Sequence, residues 1–369
     1  MAYSYVGFPL LVLLRGRFLS RPWSGEHASG EWPSATVLIA AFNEEAAIAD
    51  KVRTVLGQDY PGRLDCVVVS DGSTDGTVAA AISVGEADRL RVMPIRRSGK
   101  ATALNRGIEA ASGSVIVFTD ANSRLAPDAV RRLLSPFADP EIGGVAGDQR
   151  YEGDDDAVGE RTYWDLDRVM KHASSRAGSV SSATGALYAV RRELVPTVPD
   201  GVTDDFYVST AVIDAGRRLV FAGDAVAFEP PASSLDPEYH RKVRVMTRGL
   251  RAVLLRRRLL DPRRTGFYAP QLFSHKVLRR LSVVPLVVTG LAAAALRRRP
   301  CYAVVARAQL VLLAAMAAAW TWTRSGRRSH PAIGVVAYFG MVNVAALHAL
   351  VNLITGRRID RWTPQRDGD

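Results

Sequence analysis

The chain has 369 residues, 48 of them Lys or Arg and 37 Asp or Glu, for a net charge of +11. Hydrophobic residues make up 48% and charged residues 23%, which excludes a disordered chain and leaves room for one large catalytic domain plus a smaller part. The charge is lopsided. Residues 1–235 hold 24 basic and 31 acidic side chains, whereas residues 236–369 hold 24 basic and only 6 acidic ones. A basic half of this kind suits phosphates or a membrane surface. Cys66 and Cys301 make no disulfide framework and are expected as small core residues in a reducing compartment. The six His show no metal-ligand spacing, which argues against zinc.

In chain order, the first element is the apolar run Tyr3 to Leu14, followed by Arg15, Arg17 and Arg21. At about 1.5 Å per residue it is too short to cross a bilayer, and its basic residues come after it, unlike those of a signal peptide. It is expected to be the tail of a membrane helix, its start truncated or misassigned, with the following domain in the cytoplasm.

Next come four strand–helix repeats. Strands are predicted at 36–41, 65–70, 90–95 and 114–119, with a helical pattern after the first strand and helices at about 76 to 86, 100 to 111 and 127 to 137. Ile48, Val52, Val55 and Leu56 share one face of that first helical pattern. Near-continuous apolar strands alternating with helices imply a parallel sheet covered on both faces. Polar residues gather just after three strands: Asn43 and Glu44, then Asp71 and Asp75, then Asp120 and Asn122. Open α/β sheets bind ligands at that edge. No GxGxxG follows a strand, so a dinucleotide enzyme is disfavoured. Ser98-Gly-Lys-Ala101 looks like the end of a P-loop, but Ala101 stands where a Ser or Thr should hold the metal.

The basic half opens with an Arg-rich amphipathic segment at 250–260 and Ser274 to Arg280, read as interfacial helices on anionic lipid. Few aromatics interleave with these arginines, which argues against nucleic acid. Three apolar stretches follow, Leu281–Leu296, Cys301–Trp322 and Pro331–Thr355. The second and third are long enough to span, and the first is marginal.

Seven segments, in order, resemble the family-2 glycosyltransferases of the GT-A fold, particularly the membrane-bound branch near the cellulose, chitin and hyaluronan synthases and the poly-N-acetylglucosamine polymerases. They are Ile39-Ala-Ala-Phe-Asn-Glu44, Ser70-Asp-Gly-Ser-Thr-Asp75, Gly99-Lys-Ala-Thr-Ala-Leu-Asn105, Phe118-Thr-Asp-Ala-Asn122, Ala183-Thr-Gly-Ala-Leu-Tyr188, Thr203-Asp-Asp205 and Arg241-Lys-Val-Arg244. The resemblance covers roughly residues 34–280. It implies a GT-A α/β domain at 33–235, after a membrane-helix remnant and basic linker at 1–32. Interfacial helices at 236–280 and transmembrane helices with a tail at 281–369 would follow.

It further implies an inverting transfer from a nucleotide-diphosphate sugar, UDP-linked as the first expectation, with Mg2+ or Mn2+ as cofactor. Asp120 and Asn122 stand at the family's DxD motif and would hold the metal. Phe42, Glu44, Asp71, Lys100, Asp120, Arg241 and Arg244 would bind the donor. Asp205 would be the catalytic base, with Asp204 beside it orienting the acceptor. Trp164, Thr184 and Gly185 would border the acceptor. Asp75 reads as either a site residue or a helix cap, and Asn105 as a brace for the Lys100 loop.

Two departures stand out. Asn122 replaces a carboxylate, and the QxxRW motif of processive synthases reads Arg241-Lys-Val-Arg-Val245, without its Trp. The expected acceptor is an envelope polysaccharide or a lipid-linked glycan. A polyprenyl-phosphate sugar synthase and a non-catalytic nucleotide-sugar-binding subunit are the alternatives. The chain is expected in the cell membrane as a multi-pass protein with its catalytic domain cytoplasmic. Three helices are few for a translocation channel unless copies or partners associate.

Overall fold

The computed structural model describes residues 3–24, 31–151, 158–229, 235–281, 283–325, 330–357 and 359. Helix α1 (Phe8–Phe18) leads into a run of alternating strands and helices. These are β1 (Ala35–Ala41), α2 (Glu45–Leu56), β2 (Leu64–Asp71), α3 (Thr77–Ile82), β3 (Leu90–Ile95), α4 (Lys100–Ala110) and β4 (Val115–Phe118). After them come β5 (Arg124–Leu125), α5 (Ala129–Leu134), β6 (Ile142–Tyr151), α6 (Val158–Ala177), β7 (Tyr188–Arg191), α7 (Asp204–Asp214) and β8 (Arg218–Glu229).

All eight strands form one sheet in the order β3-β2-β1-β4-β7-β6-β8-β5. The first four pair in parallel, as strands joined by crossover helices must, with Ile39 opposite Val68 and Leu38 opposite Phe118. β6 and β8 also pair in parallel. The three antiparallel pairings all involve β5 or β7, so the sheet is mixed. β7 inserts beside β4 some seventy residues downstream, a pairing beyond the reach of local sequence pattern.

Every residue of β1 is buried because helices cover both faces. Val37 and Ile39 pack with Ile48, Val52 and Val55 of α2 and Val130 and Leu133 of α5. Leu38 and Ala40 pack on the other side with Ala103 and Leu104 of α4 and Phe206, Val208 and Val212 of α7. A strand with apolar residues at both parities can satisfy only such a two-sided core. The carboxyl ends of β1, β2 and β4 therefore open onto one edge, flanked by the start of α7.

The N-terminal helix does not stand apart. Phe8 and Val12 bury themselves against Met170 of α6, while Leu10, Leu11, Leu14 and Phe18 stay exposed. The basic half forms α8 (Leu235–Leu255), α9 (Pro262–Thr265), α10 (Tyr268–Leu272), α11 (Val283–Ala295), α12 (Pro300–Arg324) and α13 (Pro331–Ile354). Among the described residues, α12 and α13 are long and apolar enough to cross a membrane. The marginal first stretch joins α10 and its following turn in a pair bent by 59°, which makes a third crossing only if the pair is one broken span. Cys66 is buried as expected, but Cys301 is exposed, because α12 keeps nearly all of its apolar surface outside the protein core.

Candidate active site

Two loops at the sheet edge are stapled together. Asn43 takes a left-handed backbone (φ 52°), which its short polar side chain tolerates. Its Oδ1 accepts from Thr74 N at 2.8 Å, and its own N–H donates to Ser73 Oγ at 3.0 Å. Asp75 acts as a cap: its carboxylate accepts from Thr77 N at 3.1 Å and from Glu45 N at 3.2 Å. Glu44 is buried in this junction, its N–H bonded to Thr77 Oγ1 at 2.7 Å.

Asp71 is fully buried at the end of β2 and organises the 97–99 loop. Its carboxylate accepts from Ser98 N at 2.6 Å, from Gly99 N at 2.9 Å and from the Arg97 guanidinium. Gly72 makes this possible: at φ +68° a Cβ would lie 2.6 Å from Arg97 N. The Arg97 guanidinium then lies over the Phe42 ring, 3.4 Å from its centroid. Phe42 and Asp71 thus meet at Arg97, a residue that sequence reasoning passed over among many arginines.

A second cluster lies two strands over from β2, beyond β4. Lys100 opens α4, and its Nζ lies 2.9 Å from Asp120 Oδ1 and 3.1 Å from Asp204 Oδ2. A DxD carboxylate and a carboxylate from the start of α7, 84 positions apart, are therefore joined by one ammonium. Burial disfavours charge on Lys100 and Asp120, but the pairing wins: it raises the Lys100 pKa and lowers that of Asp120. Among the described residues Asp205 makes no ion pair within 4 Å. Burial first, then the neighbouring Asp204 charge, push its carboxyl up to about 6. Its Oδ1 accepts only a local bond, from Phe206 N at 2.7 Å. Gly185 closes the floor, since a Cβ there would sit 2.8 Å from Asp120 Oδ2.

Of the remaining expected residues, Arg241 lies on α8, its guanidinium bonded to Glu238 at 2.6 and 3.1 Å. Arg244 is half-buried one turn further on, and burial followed by Arg248 and Arg241 lowers its pKa. Asn122 is exposed in the turn after Asp120. Thr184 Oγ1 is buried beside Gly185. Trp164 falls on α6, but its side chain lies outside the described residues. Asn105 ties α4 to the segment that leads to Asp204: its amide donates to Val198 O at 2.9 Å and accepts from Val198 N at 2.8 Å.

Besides Arg97, two residues escaped the sequence reading. Lys51 is 3% exposed, and its ammonium donates to Thr119 Oγ1 at 2.7 Å, Ser123 O at 2.7 Å and Ser123 Oγ at 2.8 Å. It braces the turn that carries Asp120, and burial drops its pKa to about 7. Its spacing from Ile48 and Val55 puts it on the apolar helix face, which was the available signal. Glu229 ends β8 and accepts from the Gln149 amide. Burial, then the Asp120 charge, raise its carboxyl to about 7. The strand that delivers it carried no recognised motif.

The donor set at Asp120 is a carboxylate and, at Asn122, an amide oxygen. Among the described residues no group of three or more His, Cys, Asp or Glu could hold a metal ion. All-oxygen ligation suits Mg2+ or Mn2+, but two protein oxygens are few. They fit a cation that keeps the rest of its shell from diphosphate oxygens and water.

A mixed α/β sheet with a carboxylate–lysine–carboxylate cluster at its edge and apolar helices after it has the GT-A glycosyltransferase fold. Residues 36–198 match the model of the family described as Glycosyl transferase family 2. Similar curated proteins include an N-acetylglucosaminyltransferase of Mesorhizobium japonicum, 26% identical over 260 residues, which are 65% of this chain and 61% of that protein. A poly-beta-1,6-N-acetyl-D-glucosamine synthase of Staphylococcus aureus is 27% identical over 235 residues, 61% of this chain and 57% of that one. The chain thus spans about 60% of the length of these relatives. The mannosyltransferase PcManGT from Pyrobaculum calidifontis, solved in complex with GDP-Man and Mn2+, superposes with a TM-score of 0.71 at 25% identity, covering 97% of each chain.

Proposed function

We propose that this protein is a membrane-bound inverting glycosyltransferase that moves one sugar from a nucleoside-diphosphate sugar to a hydroxyl of a glycan or lipid-linked acceptor. One observation carries the reading: Lys100 gathers Asp120 and Asp204 into one cluster with Asp205 alongside, at the ligand-binding edge of the sheet. The fold likeness to an enzyme solved with GDP-Man and Mn2+ supports it.

The chemistry follows from charge. Phe42, Arg97 and the Asp71 loop border the space for the base. Lys100, Arg241 and Arg244 supply cationic hydrogen bonds to the diphosphate. Asp120 and Asn122 would hold Mg2+ or Mn2+, which supplies charge neutralisation on the diphosphate. Asp205 takes the proton of the acceptor hydroxyl. That oxygen bonds the anomeric carbon as the carbon–diphosphate bond breaks, and the pair leaves on the nucleoside diphosphate. A single base facing the leaving group gives inversion. Asp204 is engaged by Lys100, whereas the raised pKa of Asp205 fits it to accept a proton near neutral pH.

In this reading the Arg-rich α8–α10 region rests on the anionic cytoplasmic leaflet, and α12 and α13 cross the bilayer. Membranes containing the protein, given UDP-N-acetylglucosamine or GDP-mannose with Mn2+, should release nucleoside diphosphate. Mass analysis of the product separates one sugar on a lipid from a long chain. If neither donor is consumed and Asp205→Asn changes nothing, the proposal fails.

A further inference from the structure

Residues 178–187, between α6 and β7, form neither helix nor strand, yet Val180, Ser182, Ala183, Ala186 and Leu187 are buried. Buried backbone outside regular structure must find its hydrogen-bond partners elsewhere. The downstream end of this loop meets the carboxylate cluster. Gly185 abuts the Asp120 carboxylate, Ala186 O accepts from Thr119 Oγ1 at 2.7 Å, and Ala183 N donates to Ser209 Oγ on α7 at 3.1 Å.

The upstream end is held from the other half of the chain. β8 takes the Val180 N–H and binds the Ser179 hydroxyl, both through Leu219. The two neighbouring carbonyls fall to α10. Tyr268 Oη donates to Ser181 O at 2.7 Å, and Gln271 Nε2 donates to Ser179 O at 2.9 Å. Both donors are buried, and they lie 87 and 92 positions downstream of the residues they hold. His275, after α10, adds a third contact, its Nδ1 3.3 Å from Ser181 Oγ.

We propose that Tyr268 and Gln271 are positioning residues, which set the 178–187 loop, and through Gly185 the seat of Asp120, from the basic half of the chain. The inference rests on the glycosyltransferase reading and adds the groups that hold its metal-side carboxylate in register. A buried carbonyl stripped of its donor turns toward other polar partners and carries the loop with it. A shift of about 1 Å, even one caused far from the chemistry, can cost on the order of 10^2-fold in rate.

Tyr268→Phe and Gln271→Met keep the side-chain bulk and delete the donors. In the full-length protein each should speed amide hydrogen exchange at 178–187 at least about tenfold, with β1 and β2 exchanging as in wild type. The donor is whichever of UDP-N-acetylglucosamine and GDP-mannose wild type consumes. Calorimetric binding of the matching UDP or GDP with Mn2+ should weaken about tenfold, and turnover should fall at least as far. Leu64→Ala, a cavity at the end of β2 away from Asp71, is the stability control. It should lower the melting temperature while loop exchange, relative to β1, and nucleotide affinity stay as in wild type. Either α10 variant suffices, so the failure of one to fold leaves the test standing. Loop exchange within twofold of wild type, or nucleotide affinity no weaker than in Leu64→Ala, overturns the assignment and leaves the glycosyltransferase reading intact. A wild type that consumes neither donor sinks that reading, and the positioning role with it, even where exchange shows α10 holding the loop.

Discussion

Asp204 and Asp205 are neighbours in sequence with opposite electrostatics. Asp204 shares Lys100 with Asp120, while Asp205 is pressed toward its neutral form by burial and by Asp204. Turnover should therefore rise with pH through about 6 and then level off, as read from kcat/KM against pH. Asp205→Asn should cut kcat by about 10^2–10^4-fold. The same change should stabilise the fold. A carboxyl whose folded pKa exceeds its unfolded value of 3.8 binds its proton more tightly when folded, so it weakens the protein as pH rises through that window. Asp205→Asn should consequently melt higher than wild type at pH 8, and the gap should close below pH 4. Lys100→Gln has the reverse sign. Asp120 has a lowered folded pKa, so its stabilisation is present above the unfolded pKa of 3.8 and lost as pH falls through the folded value. Removing its cation should cost about 2 kcal/mol at pH 7, discounted for the one-third exposure of Asp120, and much less in acid, by denaturant melts at both pH values.

At the scale of elements, precision at the site comes from how α4 and β7 are seated. Asn105 clasps Val198 through two hydrogen bonds, which fixes the distance from Lys100 to the start of α7. Gly185 leaves Asp120 Oδ2 room that a methyl group would occupy at 2.8 Å. Gly185→Ala is expected to swing the Asp120 carboxylate away, weakening Mn2+-dependent nucleotide binding about tenfold by calorimetry while the melting temperature holds. The sequence made the first four strands and their helices plain, because continuous apolar runs alternate with one-faced helices. It left β6, β7 and β8 unmarked, and with them Glu229. Their pairing depends on partners far away in the chain, and short mixed strands carry little periodic signal. Lys51 was legible in principle, since it falls on the buried face of α2, but a lone lysine reads as a surface residue until its three hydrogen bonds are seen.

For the whole molecule, the membrane part and the catalytic part share a helix. α8 carries Arg241 and Arg244 and lies along α13, with Tyr239 Oη 3.0 Å from His348 Nδ1 and Asn352 3.4 Å from Thr247 Oγ1. If the proposed function holds, α13 does more than anchor: it positions the two arginines proposed to meet the diphosphate. A chain lacking residues 300–369, purified in detergent, should keep the catalytic domain's cooperative melt yet lose at least about tenfold in donor turnover. Turnover equal to the full chain would reduce α12 and α13 to anchors.

The order of apolar runs and the polar residues after them determined, without coordinates, that a layered α/β domain presents Asn43, Asp71 and Asp120 near one edge and that apolar helices follow; Asp205 was reached only through the family resemblance. Local pattern suffices there because strand faces and helix faces are set by periods of a few residues. Only the tertiary structure decided that Lys100 joins Asp120 to Asp204, that Asp205 has no ion-pair partner among the described residues and that Asp71 is spent on its own loop. These are contacts between residues tens of positions apart, in surroundings whose low polarity gives each charge its pKa, and chain folding alone creates both.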